Sequence, residues 1–168
     1  MAESLRLSEH FYLSEFLVSE TAARHDIDLS PPPEAVASLT RLCQTLLQPI
    51  RDLVGPLVIT SGYRPESLNR LIGGSRNSGH LYGLAADVRA LSVNPTKLCH
   101  LIERMELSAD NGHSFDPANL DQCILEFNSW CHVSIPAIGK VGRREYLTAI
   151  RSEGRTKYLN GICDGEAQ

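Results

Sequence analysis

The chain has 168 residues, of which 42% are hydrophobic and 21% charged, with a net charge of −4. This is enough chain for one domain with a sizeable core, and residues 1–168 read as a single unit with its core at about 11–135 and a basic tail at 143–168. The acidic balance excludes the basic footprint of a nucleic-acid binder, and no apolar run approaches a membrane span. The start, Met1 to Arg6, lacks the charged-then-apolar pattern of a secretory signal, which predicts a chain made in the cytoplasm. Five cysteines, odd in number and without a Cys-x-x-Cys pair, argue against a disulfide framework or a thiolate zinc site and for reduced, buried thiols.

Residues 11–24 read as a short helical entry segment, closed by the proline run Pro31 to Pro33. Val36, Leu39, Leu42, Leu46, Ile50 and Leu53 then recur at spacings of three and four. They predict a long amphipathic helix, bent near Pro49 and ended at Gly55. Leu57 to Thr60 reads as a buried strand, and a short helix fits 66–72. The loop Gly73 to Gly79 delivers His80, and a strand from Leu84 to Val88 carries Asp87. Asn94-Pro95 opens a helix with Leu98, Leu101, Ile102 and Met105 on one side. Residues 108–120 are loop-like. Cys123 to Phe127 and Trp130 to Ile135 suggest a β-hairpin, and the tail from Arg143 to Tyr158 carries no clear pattern. The expected fold is α+β, a small antiparallel sheet with helices on one side.

The segment Ser78-Gly79-His80-Leu81-Tyr82-Gly83-Leu84-Ala85-Ala86-Asp87 holds a histidine and a carboxylate seven residues apart. That is too long for two ligands on one strand, but a turn at Gly83 would fold the chain back and bring them together. His132, in the alternating run Trp130 to Ile135, completes two imidazoles and one carboxylate. Such a set suits zinc and leaves a fourth position open, the usual arrangement of a hydrolytic catalyst. Taken singly, each residue reads equally well as a surface or core group. Cys131 points away from His132 across the strand and is a poor ligand.

Glu126 is the candidate general base. With a three-residue loop, Asn128 to Trp130, it lies across from His132 on the same face. With a two-residue loop, Asn128-Ser129, it pairs with Cys131 and reads as an edge glutamate. Its apolar neighbours Leu125 and Phe127 predict burial and a raised pKa. Should Glu126 fail, Asp110, His113 and Asp116 are the next candidates. Arg64, on a short turn after the first strand, suits bidentate capture of a carboxylate, although alone it reads as a solvated loop arginine.

The ordered motifs Ser61-Gly62-Tyr63-Arg64, Ser78-x-His80-x-x-Gly83-x-Ala85-x-Asp87 and Trp130-x-His132-x-Ser134 resemble those of the M15 zinc peptidases. The likeness is to the branch of D-alanyl-D-alanine carboxypeptidases and phage lysins, with a Hedgehog-like zinc site. It implies zinc on His80, Asp87 and His132, a substrate contact from Arg64, and Ser78 and Trp130 beside the substrate. Glu126 has the six-residue lead on the last histidine seen in the Hedgehog site, while Ser129 stands where some M15 peptidases carry an acid. The implied activity is hydrolysis of peptidoglycan stem peptides by a monomer, as carboxypeptidase or lysin-type endopeptidase, reaching the wall through a phage lysis system or in a virion. A non-catalytic zinc-containing binding module is the alternative.

Overall fold

The structure, a computed structural model of the chain, describes residues 5–105 and 115–163. After a 3-10 turn at Leu13–Phe16, Ser19 caps the short helix α1 (Glu20–Arg24) by accepting from the Ala22 amide at 3.2 Å. The long helix comes in three pieces: α2 (Pro33–Leu42), a π-helical turn (Cys43–Leu47) and α3 (Gln48–Val54). Pro49 explains the middle piece. Its ring has no N–H and crowds the carbonyl four residues back, and the wider turn, closed by Gln48 N–H onto the Cys43 carbonyl, makes room. Short helix α4 (Glu66–Leu71) and helix α5 (Pro95–Met105) follow, and no helix among the described residues is long and apolar enough to cross a membrane.

Six strands form one mixed sheet in the order β1-β2-β4-β3-β5-β6. They are β1 (Leu57–Ser61), β2 (Ala85–Ala90), β3 (Gln122–Glu126), β4 (Trp130–Ser134), β5 (Glu145–Ser152) and β6 (Arg155–Asn160). All neighbours are antiparallel except β3 and β5, which run parallel. The α+β class is as expected, but the sheet is larger than the sequence suggested. Its two extra strands come from the tail, joined across Glu153 and Gly154, both at positive φ.

Alternation along the strands gives the sheet two unlike faces. Ala86, Val88, Cys123, Leu125, Cys131 and Val133 point into the core, where α5 supplies Leu98, Cys99 and Ile102 and the α2–α3 helix supplies Leu39, Leu42, Leu46 and Ile50. The other face floors an open groove of about 700 Å³. Asp87, His132, Ile124 and Leu147 lie side by side across four strands of that floor.

Candidate metal centre

His80 sits on a single 3-10 turn, Gly79–Tyr82, that begins after Ser78. Gly83 closes the turn at φ +67°, and a Cβ there would stand 2.5 Å from the Ala35 carbonyl oxygen. Glycine therefore serves both the left-handed backbone and the close approach to α2. The chain then enters β2, and Asp87 falls opposite His132 on β4. The expected fold-back at Gly83 is what brings the first two ligands together.

The three side chains are all buried. His132 Nδ1 lies 2.8 Å from Asp87 Oδ1, His80 Nε2 lies 3.2 Å from the same oxygen, and the two ring nitrogens are 3.3 Å apart. His80 Nδ1 is 2.7 Å from the Gly62 carbonyl. A carbonyl only accepts, so the His80 proton sits on Nδ1 and Nε2 presents a lone pair. That lone pair faces a carboxylate oxygen, an acceptor against an acceptor, which a cation between them would resolve. Four ligands about 2.0–2.1 Å from a tetrahedral zinc stand about 3.3 Å from one another, close to the spacings found here. The donor set and its geometry fit zinc.

Electrostatics agree with a deprotonated ligand set. Burial pushes the His80 pKa down, further than the Asp87 charge and hydrogen bond restore it. Burial opposes ionisation of Asp87, but its polar neighbours in the centre outweigh it and hold the carboxyl below its ordinary range.

Arg64 stands behind this centre. Its Nη2 donates to Asp87 Oδ2 at 2.5 Å, its Nε donates to Ser61 Oγ at 2.8 Å, and its backbone N–H donates to the His80 carbonyl at 3.1 Å. One guanidinium nitrogen thus braces Asp87 while a second is anchored on Ser61, and the side chain also lines the groove. Ser78 also lines the groove.

Glu126 pairs with Trp130, a register that neither expected loop predicts. The loop is Phe127 to Ser129, with Phe127 and Asn128 both at positive φ and the Ser129 N–H bonded to the Glu126 carbonyl at 2.9 Å. Parity still puts Glu126 on the face of His132, now one diagonal away, and its side chain lines the groove. Trp130 Nε1 donates to Glu126 Oε2 at 3.0 Å, so the tryptophan positions the glutamate. Burial and the Asp87 charge raise the Glu126 pKa against the opposing pull of His132 and Trp130. Of the fallback acids, Asp110 and His113 lie outside the described residues. Asp116 caps the 3-10 turn Pro117–Asn119 by accepting from the Ala118 amide.

A second cluster lies on the opposite face. Cys99, Cys123 and Cys131 bring their sulfurs within 4.8 Å of one another. They are free cysteines in the apolar core; burial pushes the Cys131 thiol well above its ordinary value, while hydrogen bonds from Cys123 and Cys131 draw Cys99 down to about 5.

The family model described as Peptidase M15 matches residues 9–134. The chain belongs to the M15 peptidase family. The matched segment contains His80, Asp87, His132, Arg64 and Glu126, so a metallopeptidase family and an independently converging ligand set coincide on one groove. No curated protein matches the chain. The sequence reading missed the Gly62 carbonyl and the groove residues of β5 and β6. The pair Glu153-Gly154 was the available turn signal for the latter, resembling the Asp-Gly of tight hairpins.

Proposed function

We propose that this M15 peptidase is a zinc enzyme that hydrolyses peptide bonds in peptidoglycan stem peptides, acting as an endopeptidase of the lysin type. The observation that carries this reading is one groove holding a buried two-histidine, one-carboxylate centre with a raised-pKa glutamate one diagonal away. Zinc bound by His80, Asp87 and His132 would supply the Lewis acid that polarises a scissile carbonyl. Glu126 accepts the proton of the attacking water and returns it to the leaving amine, with the Trp130 indole keeping its carboxylate in place. Arg64 holds Asp87 in position and offers its remaining nitrogen toward the groove.

Two features favour endopeptidase over carboxypeptidase. The groove continues past the ligands both ways, with Ser78, Gln122 and Glu145 toward one end and Phe127 and Arg151 toward the other. A carboxypeptidase needs a cation for the terminal carboxylate one residue from the cut, and Arg64 is already paired with Asp87 at 2.5 Å. The test is Glu126→Gln in zinc-loaded protein. Zinc content should match the wild type, while turnover of a stem peptide falls by roughly two to four powers of ten. Near-normal turnover with zinc bound rejects Glu126 as the base. Specific peptide binding without hydrolysis by the zinc-loaded wild type would support the binding-module alternative instead.

A further inference from the structure

The C-terminal hairpin, outside the segment that matches the family, forms one end of the groove. Alternation along β5 puts Leu147, Ala149 and Arg151 on the floor beside Ile124 and Glu126 of β3. On the next strand Tyr158 pairs with Ala149. Burial, helped by the Glu126 charge, raises the phenol's pKa.

Two cations line this groove, Arg64 and Arg151. Arg64 is held by Asp87, whereas Arg151 makes no ion pair with the described residues. The Arg151 guanidinium lies 4.7 Å from the centre of the Phe127 ring. A cation stacked on an aromatic face keeps the N–H fork along its edge available for an oxyanion. Phe127 holds that platform at some cost. It is a bulky residue at φ +52°, a conformation that penalises a large side chain, and its ring also meets Trp130 edge-on at 5.7 Å. Left-handed loop positions are ordinarily filled by Gly, Asn or Asp, so an aromatic there points to use of the ring.

We propose that this hairpin face is a substrate subsite in which Arg151 grips a free carboxylate of the peptide, so that the enzyme selects acidic stem peptides over amidated ones. Arg151 stands four residues along β5 from Leu147, the residue level with the metal ligands, about 13 Å at strand spacing. The Arg151 side chain and the carboxylate-bearing group of the peptide each take up part of that distance, leaving more than the one residue that separates a terminal carboxylate from its cut. The carboxylate recognised is therefore not at the scissile bond but farther along the same stem. The inference rests on the peptidase reading for the choice of peptide and on Arg151 alone for the selection.

The test uses three tetrapeptides of sequence alanyl-glutamyl-diaminopimelyl-alanine: one with all carboxylates free, one amidated at the glutamyl α-carboxyl, one amidated at the diaminopimelyl carboxyl. Each is titrated calorimetrically into zinc-loaded protein in the Glu126→Gln form, which slows cutting, with and without Arg151→Gln. The free peptide should bind about ten- to a hundredfold more tightly than one of the amidated forms, and which form is weakened identifies the carboxylate. Arg151→Gln should make the peptides equivalent at unchanged zinc content. Equal binding of all three peptides to the parent, including no binding at all, overturns the proposal, as does a preference that survives Arg151→Gln. Cleavage by zinc-loaded wild type is followed in parallel. Selective binding without cleavage sinks the hydrolytic reading and leaves the subsite standing, and cleavage without selectivity does the reverse.

Discussion

The Gly62 carbonyl determines which nitrogen of His80 is free, and Arg64 determines where Asp87 points. Groups that orient ligands are typically worth ten- to a hundredfold in metal affinity. Arg64→Lys keeps the charge but loses the fork that spans Ser61 and Asp87. It should weaken zinc binding within that range in a competition titration, and lower turnover as well. Unchanged zinc affinity would return Arg64 to a purely substrate-facing role. Trp130 gives a sharper test. Its indole hydrogen bond favours the ionised form of Glu126, so removing it raises a pKa that burial has already raised. A base must be ionised to act, so activity grows as pH rises through that pKa. Trp130→Phe should move the acid limb of kcat/KM to higher pH, and an unmoved limb would separate Trp130 from the base. The three candidate ligands stood out in the sequence because ligand chemistry limits which side chains qualify, and the structure brings them together. The Gly62 carbonyl did not, because every residue carries one.

At the scale of elements, the long helix and the hairpin show where pattern stops being informative. Apolar spacing located the helix from Val36 to Leu53, but a single wider turn leaves that spacing of three and four unbroken, and only Pro49 hinted at it. The hairpin was foreseen and its register was not. Loop length depends on which residues accept positive φ, and Phe127 is an unlikely candidate on steric grounds. The link from β4 to β5 carries a clamp of its own, in which Asp121 accepts from the Arg143 backbone N–H at 3.1 Å, its Nε at 3.0 Å and its Nη2 at 2.7 Å. The Arg143 hydrogen bonds outweigh burial and lower the Asp121 pKa. A depressed carboxylate stabilises the fold above its unfolded pKa, and that contribution fades as pH falls through the folded value. Asp121→Ala should therefore cost about 1 kcal/mol near neutrality in denaturant titration, Arg143 being half-exposed, and progressively less below about pH 4. An equal loss at all pH values would mean the clamp acts through packing.

Across the whole molecule, one sheet separates two chemistries. Its inner face buries thiols and aliphatic side chains under α5, and its outer face carries the polar centre and the groove. The α+β class was readable from the mixture of helical and alternating segments. The sixth strand and the groove's far end were not, because Arg155 to Asn160 is largely exposed and lies at the sheet edge, where no core imposes alternation. A centre built by residues 52 positions apart in sequence should also couple metal to folding. Chelation should lower the melting temperature, with free zinc at a thousand times Kd adding about 4 kcal/mol. A melting temperature indifferent to zinc would mean that His80, Asp87 and His132 do not hold it. The most direct measurement is mass spectrometry of purified peptidoglycan digested by the zinc-loaded protein and by a His80→Ala/His132→Ala variant. The account predicts new amino and carboxyl ends within the stem peptides for the wild type and none for the variant; intact stems in both digests, or equal cleavage in both, would contradict it.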